Sequence, residues 1–265
     1  MNTKARIKSI RETANLDRSI TGLPSFQLDD LIIAEDLDFD LPKNIRLGHL
    51  AEKVVSELIH SSSNYEILYE NVQIIEQQQT IGELDYIIKN KQTHQCFHLE
   101  LAYKFYLLDP SLSSHLIENW IGPNRNDSLS DKLKKLESKQ FPLLYHKQTT
   151  QQLSDLNLQT MEQRLCLLAS LYVPYNFKGM LPIAIQIAVK GYYINLAKFL
   201  SIHQEDNQYY LPSKKEWGID PSTNEIWHEL IPIEKTLKIN IEEKQAPLCW
   251  QKKGDEYAQF FIVWW

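Results

Sequence analysis

Apolar and polar residues follow two different periods along the chain, and the two periods predict a mixed α/β fold. Leu47, Leu50, Ala51, Val54, Val55, Leu58 and Ile59 recur at the i, i+3, i+4, i+7 spacing of one buried helix face. Runs typical of strands lie near residues 65–75, 81–89 and 96–107, followed by a helix-like stretch, Asp127–Gln140, and an apolar run, Leu165–Val173. The order predicts an α-β-β-β-α-β core.

The segments on either side of this core have weaker patterns. We expect an N-terminal extension over residues 1–40, with a short helix near Lys4–Ala14 and an acidic stretch up to Asp40. The core itself should span residues 41–180. A C-terminal module over residues 181–265 contains an apolar stretch near 182–200, an extended one near 208–215, and a final run, Phe260–Trp265, that predicts a buried strand.

Three acidic residues lie on the neighbouring second and third strand-like runs. Because side chains alternate along a strand, Glu83 and Asp85 should share one face of the run 81–89. His98 and Glu100 should share one face of the run 96–107. The polar stretch Lys89–Gln95 suits a hairpin connection, which would bring Asp85 and Glu100 within reach of one ion. Mg²⁺ takes oxygen ligands, usually one or two carboxylates with water and substrate phosphate. The pattern therefore predicts a divalent-metal site.

Asp85, Glu100 and the preceding helix residue Glu52 together resemble the signature of the PD-(D/E)XK nuclease-like superfamily. The runs His98–Tyr106, Gly122–Arg125 and Asp127–Gln140 are similar to an uncharacterised bacterial branch of it, a domain of unknown function, and the resemblance covers roughly residues 45–145. It implies a restriction-endonuclease-like core. It also implies that Asp85, Glu100 and the Leu101 carbonyl hold Mg²⁺ or Mn²⁺, with Glu52 assisting.

The lysine of the superfamily pattern is displaced in this chain. Ala102 stands where the lysine is expected, and Lys104 follows two residues later. Two further strand residues add about 6.6 Å, so Lys104 stays on the same face but reaches past the metal unless a bulge shortens the path. Lys132, on the following helix, is the alternative source of positive charge near the attacked phosphate.

Several of these residues also have an ordinary structural interpretation. Glu83 suits an exposed strand position, and Glu52 suits a surface position beside Lys53. His98 is interpreted as a strand histidine with one satisfied hydrogen bond in preference to a ligand or a base. Glu100 is harder to explain without a function, because it lies between two leucines, where an unpaired carboxylate is costly.

Charge favours a selective contact with nucleic acid. Non-specific binding to phosphates requires many Lys and Arg residues, whereas the formal net charge of this chain is −6. Positive residues concentrate in one stretch, in which Arg125, Lys134 and Lys135 are predicted to meet the phosphate backbone, alongside Lys132 and Lys139. We expect DNA in preference to RNA as the partner. A protein partner or a second copy of the chain would assist.

Other chemistries and compartments lack their usual markers. The sequence contains no GxxxxGK[ST], GxGxxG, HExxH or GxSxG motif, which disfavours P-loop, dinucleotide, zincin and elbow-serine enzymes. Cys96, Cys166 and Cys249 are widely spaced, which is typical of reduced thiols in a cytoplasmic protein. No run approaches the roughly 18 apolar residues of a membrane span, so no membrane partner is expected.

Three hypotheses follow for the function. The first is a metal-dependent nuclease that hydrolyses phosphodiester bonds with Glu52, Asp85, Glu100 and either Lys104 or Lys132. The second is a catalytically inactive module with the nuclease fold that binds nucleic acid or protein. The third is a hydrolase that acts on nucleotides or another small phosphoester through the same residues.

Overall fold

In a computed structural model the chain is a mixed α/β protein. The structure describes residues 2–33, 37, 39–42 and 44–265, so residues 34–36 and 38 of the predicted acidic stretch lie outside the described residues. Helices occupy α1 Thr3–Arg11, α2 Arg18–Thr21, α3 Leu47–His60, α4 Leu129–Lys135, α5 Phe141–Leu143, α6 Lys147–Gln152, α7 Ile183–Gln186, α8 Leu196–Ile202 and α9 Leu230–Glu242. A π-helical turn, Leu136–Gln140, joins α4 to α5.

Parallel and antiparallel strands both occur. They are β1 Tyr65–Glu76, β2 Gln79–Asn90, β3 Cys96–Leu108, β4 Trp120–Ile121, β5 Glu162–Pro174, β6 Val189–Asn195, β7 Gln208–Tyr210, β8 Leu248–Lys253 and β9 Glu256–Val263. The described chain divides into two compact units. The first unit comprises residues 2–103 and 131–168, and the second comprises residues 104–130 and 169–265. These ranges differ from the predicted boundaries at residues 40 and 180.

The first unit is built on the β1-β2-β3 meander, with β5 beside β3. The α3 face predicted from the 3.6-residue period is buried. The Tyr86 hydroxyl donates to the Glu52 backbone oxygen of α3 at 2.6 Å, which ties this helix to β2. Residues of the predicted N-terminal extension are bonded to β5, because Leu16 N–H donates to the Leu167 oxygen at 2.9 Å. One apolar cluster of the first unit combines residues from β1, β2 and the segment that follows α4.

The second unit contains the parallel pairs β5-β6 and β6-β9 and the antiparallel pairs β9-β8 and β8-β7. β4 is antiparallel to the end of β3. The core of the second unit includes Phe199 of α8, Leu237 of α9 and Phe260 of β9. The final predicted strand is therefore confirmed over Phe260–Val263, where the residues are buried, while Trp264 and Trp265 follow the strand.

The hairpin between β2 and β3 forms without glycine or proline. The Asn90 side-chain oxygen accepts hydrogen bonds from Gln92 N–H at 2.9 Å and Thr93 N–H at 3.0 Å. His94 adopts a φ of 58°, the left-handed conformation that glycine usually supplies. The asparagine side chain thus provides the turn chemistry, and the two strands meet as predicted.

The described residues include no helix with both the length and the apolar composition needed to cross a lipid bilayer.

Gly191 of β6 permits a close approach to β9, and this contact can be tested. A Cβ at residue 191 would overlap the backbone oxygen of Gln259, next to the Tyr192 and Phe260 pair. Because a strand backbone cannot retreat without losing its pairing, we expect Gly191→Ala to lower the free energy of unfolding by about 1–3 kcal/mol.

Gly48→Ala is the matched control, measured in the same urea titrations. Gly48 lies in α3 with no atom within 4 Å of an added Cβ. Alanine should therefore raise the free energy of unfolding by about 0.5 kcal/mol, because it restricts the unfolded chain. Equal stability of Gly191→Ala and wild type would contradict the close approach.

Candidate functional site

Asp85 and Glu100 lie side by side in the first unit. The pairing of β2 with β3 runs from Lys89 opposite Cys96 to Tyr86 opposite Leu99, and the two acids are the next residues. Leu101 N–H donates to Asp85 Oδ2 at 2.8 Å. The backbone N–H of Asp85 in turn donates to the Glu100 carboxylate. In both acids a side-chain oxygen accepts a hydrogen bond from the backbone of the other strand. These two hydrogen bonds hold the carboxylates next to each other.

Glu100 is fully buried and has two further partners. His98 Nε2 lies 2.9 Å from Glu100 Oε1, and Gln140 Nε2 donates to Glu100 Oε2 at 2.5 Å. Lys132 Nζ donates to Gln140 Oε1 at 2.9 Å. The buried carboxylate is therefore oriented by a histidine from its own strand and an amide from the π-helical turn.

His98 is held in one neutral tautomer. Gln163 Nε2 donates to His98 Nδ1 at 3.0 Å and to the Phe141 backbone oxygen at 2.7 Å. Since Nδ1 accepts, the proton must lie on Nε2, which donates to Glu100. Burial lowers the pKa of His98 to about 4, although the charge of Asp85 opposes this change. The interpretation of His98 as a hydrogen-bonded strand residue is confirmed, and it has two partners where one was expected.

Burial makes both carboxyl groups harder to ionise. Burial, followed by the negative charge of Glu100, raises the pKa of Asp85 to about 8, although the Leu101 N–H opposes the change. Burial also raises the pKa of Glu100 to about 7, and the positive charge of Lys132 opposes it. The pair therefore holds a proton more strongly than exposed carboxyl groups do, and a nearby positive charge opposes this.

Glu52 lies close enough for its charge to raise the pKa of Asp85 further. His49 Nδ1 lies 2.9 Å from Glu52 Oε2, and this hydrogen bond raises the pKa of His49. A cavity of about 390 Å³ is lined by Glu52, Glu70 and Glu83 among other residues. Glu83 is half-buried, so its predicted exposed position is only partly correct.

Two of the predicted basic residues are engaged elsewhere. Lys104 Nζ donates to Asp127 Oδ2 at 2.8 Å. Arg125 forms an ion pair with Asp109 at 3.2 Å, and its guanidinium carbon lies 4.5 Å from the centre of the Trp265 ring. All of these residues belong to the second unit. Lys104 therefore has an acidic partner, Asp127, in the second unit.

Lys134 and Lys135 are exposed on α4. The positive charge of Lys135 opposes the rise in the pKa of Glu100. An exposed lysine with this effect suits a surface that meets phosphates beside the carboxylate pair.

The donor set suits Mg²⁺ or Mn²⁺ with few protein ligands. Among the residues that the structure describes, no group of three or more His, Cys, Asp or Glu side chains could hold a metal ion. Two carboxylates and the Leu101 carbonyl remain, and Mg²⁺ usually binds proteins through one or two carboxylates. A divalent cation would also offset the negative charge of the two acids when both are ionised. The site therefore fits such a cation in its chemistry.

Gln140 and Gln163 are the residues around the two acids that the sequence did not reveal. Glutamine is frequent on exposed surfaces, and neither residue belongs to a motif. Gln140 was included only as the last residue of the predicted helix. Their roles depend on contacts with residues that are 40 and 65 positions away in the chain.

Fold and site together define a mixed α/β protein with a buried carboxylate pair at the junction of two antiparallel strands. The chain belongs to the family described as "Domain of unknown function (DUF1853)", whose model matches residues 11–263. No curated protein and no solved structure matches the chain.

The raised pKa values predict how Asp85→Asn changes stability with pH. Both acids have folded pKa values above their ordinary values of 3.8 and 4.5, so the folded state binds more protons than the unfolded state between about pH 4 and pH 8. The free energy of unfolding of the wild type should therefore fall as pH rises through this window. Asparagine removes one repelling charge, so the variant should lose less.

We expect Asp85→Asn to exceed the wild type by at least about 1.4 kcal/mol at pH 8.5, the equivalent of one pKa unit, and to approach it at pH 5. Chemical denaturation of metal-free protein at both pH values measures this difference. Asp30→Asn, at an exposed acid of the same unit, should show no such pH dependence. A difference that does not change with pH would contradict the repulsion between the carboxylates.

Proposed function

We propose that this protein is a metal-dependent phosphodiesterase of the nuclease-like superfamily, which cleaves nucleic acid, with DNA preferred. The observation that carries the proposal is the adjacent pair Asp85 and Glu100, whose pKa values are both raised by burial. Structural acids are normally paired with cations, whereas acids that repel each other in a buried site are typical of function.

The element order supports a restriction-endonuclease-like core as part of this proposal. Helix α3 precedes β1, β2 and β3, and α4 and β5 follow, in agreement with the order α-β-β-β-α-β. Asp85 on β2, Glu100 on β3 and Glu52 on α3 occupy the elements that the resemblance implies. Order alone is shared by unrelated folds, so the argument for function rests on the site.

Each residue would have a separate part in the reaction. Asp85, Glu100 and the Leu101 carbonyl would bind Mg²⁺ or Mn²⁺, which supplies an activated water and neutralises phosphate charge when bound. Glu52 would add a carboxylate at the margin of the site. Lys132 would add positive charge near the attacked phosphate, and Lys134 and Lys135 would meet the substrate backbone. Arg125 would assist in holding the nucleic acid.

A module with the nuclease fold but without turnover is the second candidate. Two observations favour it: Lys104 is paired with Asp127, and both carboxylate oxygens of Glu100 already accept hydrogen bonds. Such a module would bind nucleic acid through its lysines, and binding would survive the loss of both acids.

Cleavage assays on the full chain separate the two candidates. Labelled single- and double-stranded DNA and RNA are incubated with wild type and with an Asp85→Ala, Glu100→Ala double variant, in Mg²⁺, Mn²⁺ or chelator. We expect metal-dependent cleavage by wild type and a loss of at least about 100-fold in the variant, because the ligands that position the reaction are removed.

Asp30→Asn, which removes an exposed acid of the same unit, should cleave like the wild type. Salt-sensitive binding without cleavage, retained in the double variant, would instead establish the binding module. Cleavage that persists in the double variant would refute the proposed site.

A further inference from the structure

Lys132, Gln140 and Glu100 form a hydrogen-bonded chain whose direction is determined by chemistry. An ammonium group can only donate and an ionised carboxylate can only accept. The Gln140 amide must therefore turn its oxygen to Lys132, at 2.9 Å, and its N–H₂ to Glu100 Oε2, at 2.5 Å. The amide joins a cation to a buried carboxylate without adding a charge of its own.

The π-helical turn brings Lys132 and Gln140 to the same helix face. In an α-helix of 3.6 residues per turn, positions eight apart differ by about 80° around the axis. A turn closed by i→i+5 hydrogen bonds absorbs one additional residue, which leaves the two positions within about 20° of each other. Phe141 N–H donates to the Leu136 oxygen in such a bond. Residue 140 thus faces the same way as residue 132.

Pro142 gives this turn a local cause. Proline has no backbone N–H and its ring clashes with the preceding turn, so a regular α-helical ladder cannot continue through residue 142. The helix widens immediately before it, over Leu136–Gln140. π-helical turns inside helices are frequent at functional sites.

We infer that Gln140 is the positioning residue through which Lys132 acts on Glu100, in place of the lysine that the nuclease pattern expects on β3. The inference rests on the proposed cation site. Gln140 holds the Glu100 carboxylate in one orientation, and Lys132 polarises the amide that donates to it. Lys104 is not required, since its ammonium is bonded to Asp127.

Residues that orient a metal ligand affect metal affinity strongly. Loss of such a partner typically weakens affinity or activity by about 10- to 100-fold. If Lys132 acts through Gln140, removal of either side chain breaks the same chain of hydrogen bonds. The two losses should then not add, which distinguishes a shared path from two independent electrostatic effects.

The experiment is a double-mutant cycle in Mn²⁺ affinity, measured by calorimetric titration of the metal-free full chain. Gln140→Met and Lys132→Met should each weaken binding by about 10- to 100-fold, and the double variant should be no weaker than the weaker single variant. Lys147→Met is the charge-matched control, because Lys147 is an exposed lysine of the same unit outside the stretch predicted to meet phosphates, and it should bind like the wild type.

A second variant covers the possibility that methionine perturbs folding. Gln140→Asn keeps a neutral amide but is one methylene shorter, so it cannot bridge Lys132 and Glu100 and should also bind Mn²⁺ at least about 10-fold more weakly. Thermal unfolding of each metal-free variant verifies that the folded state is titrated. A purely structural role would lower stability and leave the affinity of folded protein unchanged.

The outcomes separate this inference from the proposed function. Mn²⁺ binding by wild type that is unaffected by Gln140→Met and Gln140→Asn, or losses that add in the double variant, would overturn the inference and leave the proposed site standing. Absence of Mn²⁺ binding by wild type would overturn the proposed site and, with it, the role of Gln140.

Discussion

Two carboxyl groups that repel each other in a buried position constrain the structure of the first unit around them. Neither Asp85 nor Glu100 could remain there without hydrogen-bond donors, because a buried unpaired carboxylate is costly. The donors come from the neighbouring backbone N–H groups, from the neutral tautomer of His98 and from Gln140. These donors hold the two acids in place, but burial still raises both pKa values, and the charge of Glu100 raises the pKa of Asp85 further.

The helical segment that follows β3 and β4 in the chain contacts Glu100 of this pair through Gln140. It contains α4, a π-helical turn and α5 in direct succession, with Pro142 at the point where a regular helix cannot continue. From this segment Gln140 donates to Glu100 and Lys132 donates to Gln140, while the Phe141 backbone oxygen accepts from Gln163, the amide beside His98. One irregular helix therefore supplies both positive charge and orientation, while Lys104 on β3 is paired with Asp127.

The family match covers residues 11–263 and thus residues of both units. The carboxylate pair and its hydrogen-bond partners belong to the first unit alone. The second unit has its own aromatic and apolar core, in which Gly191 allows β6 and β9 to approach closely. The substrate-binding role proposed for Arg125 concerns this second unit, where the guanidinium is paired with Asp109.

The sequence by itself determined the helix α3, the strands β1, β2, β3 and β5 and the two acids, because local periodicity specifies which residues form an element and which face is buried. Asp85 and Glu100 could be recognised because an acid in an apolar strand requires an explanation.

Only the tertiary structure showed the partners of the two lysines, the two amides beside the acids and the division into units. The sequence does not distinguish the roles of Lys104 and Lys132. The structure shows that Lys104 is bonded to Asp127 and that Gln140 is bonded to Glu100, and these partners are distant from each other in the chain. Gln163 is likewise meaningful only beside His98. Hydrogen bonds between side chains are short-range and directional, so they depend on where elements meet in space, and periodicity along the chain carries no record of that meeting.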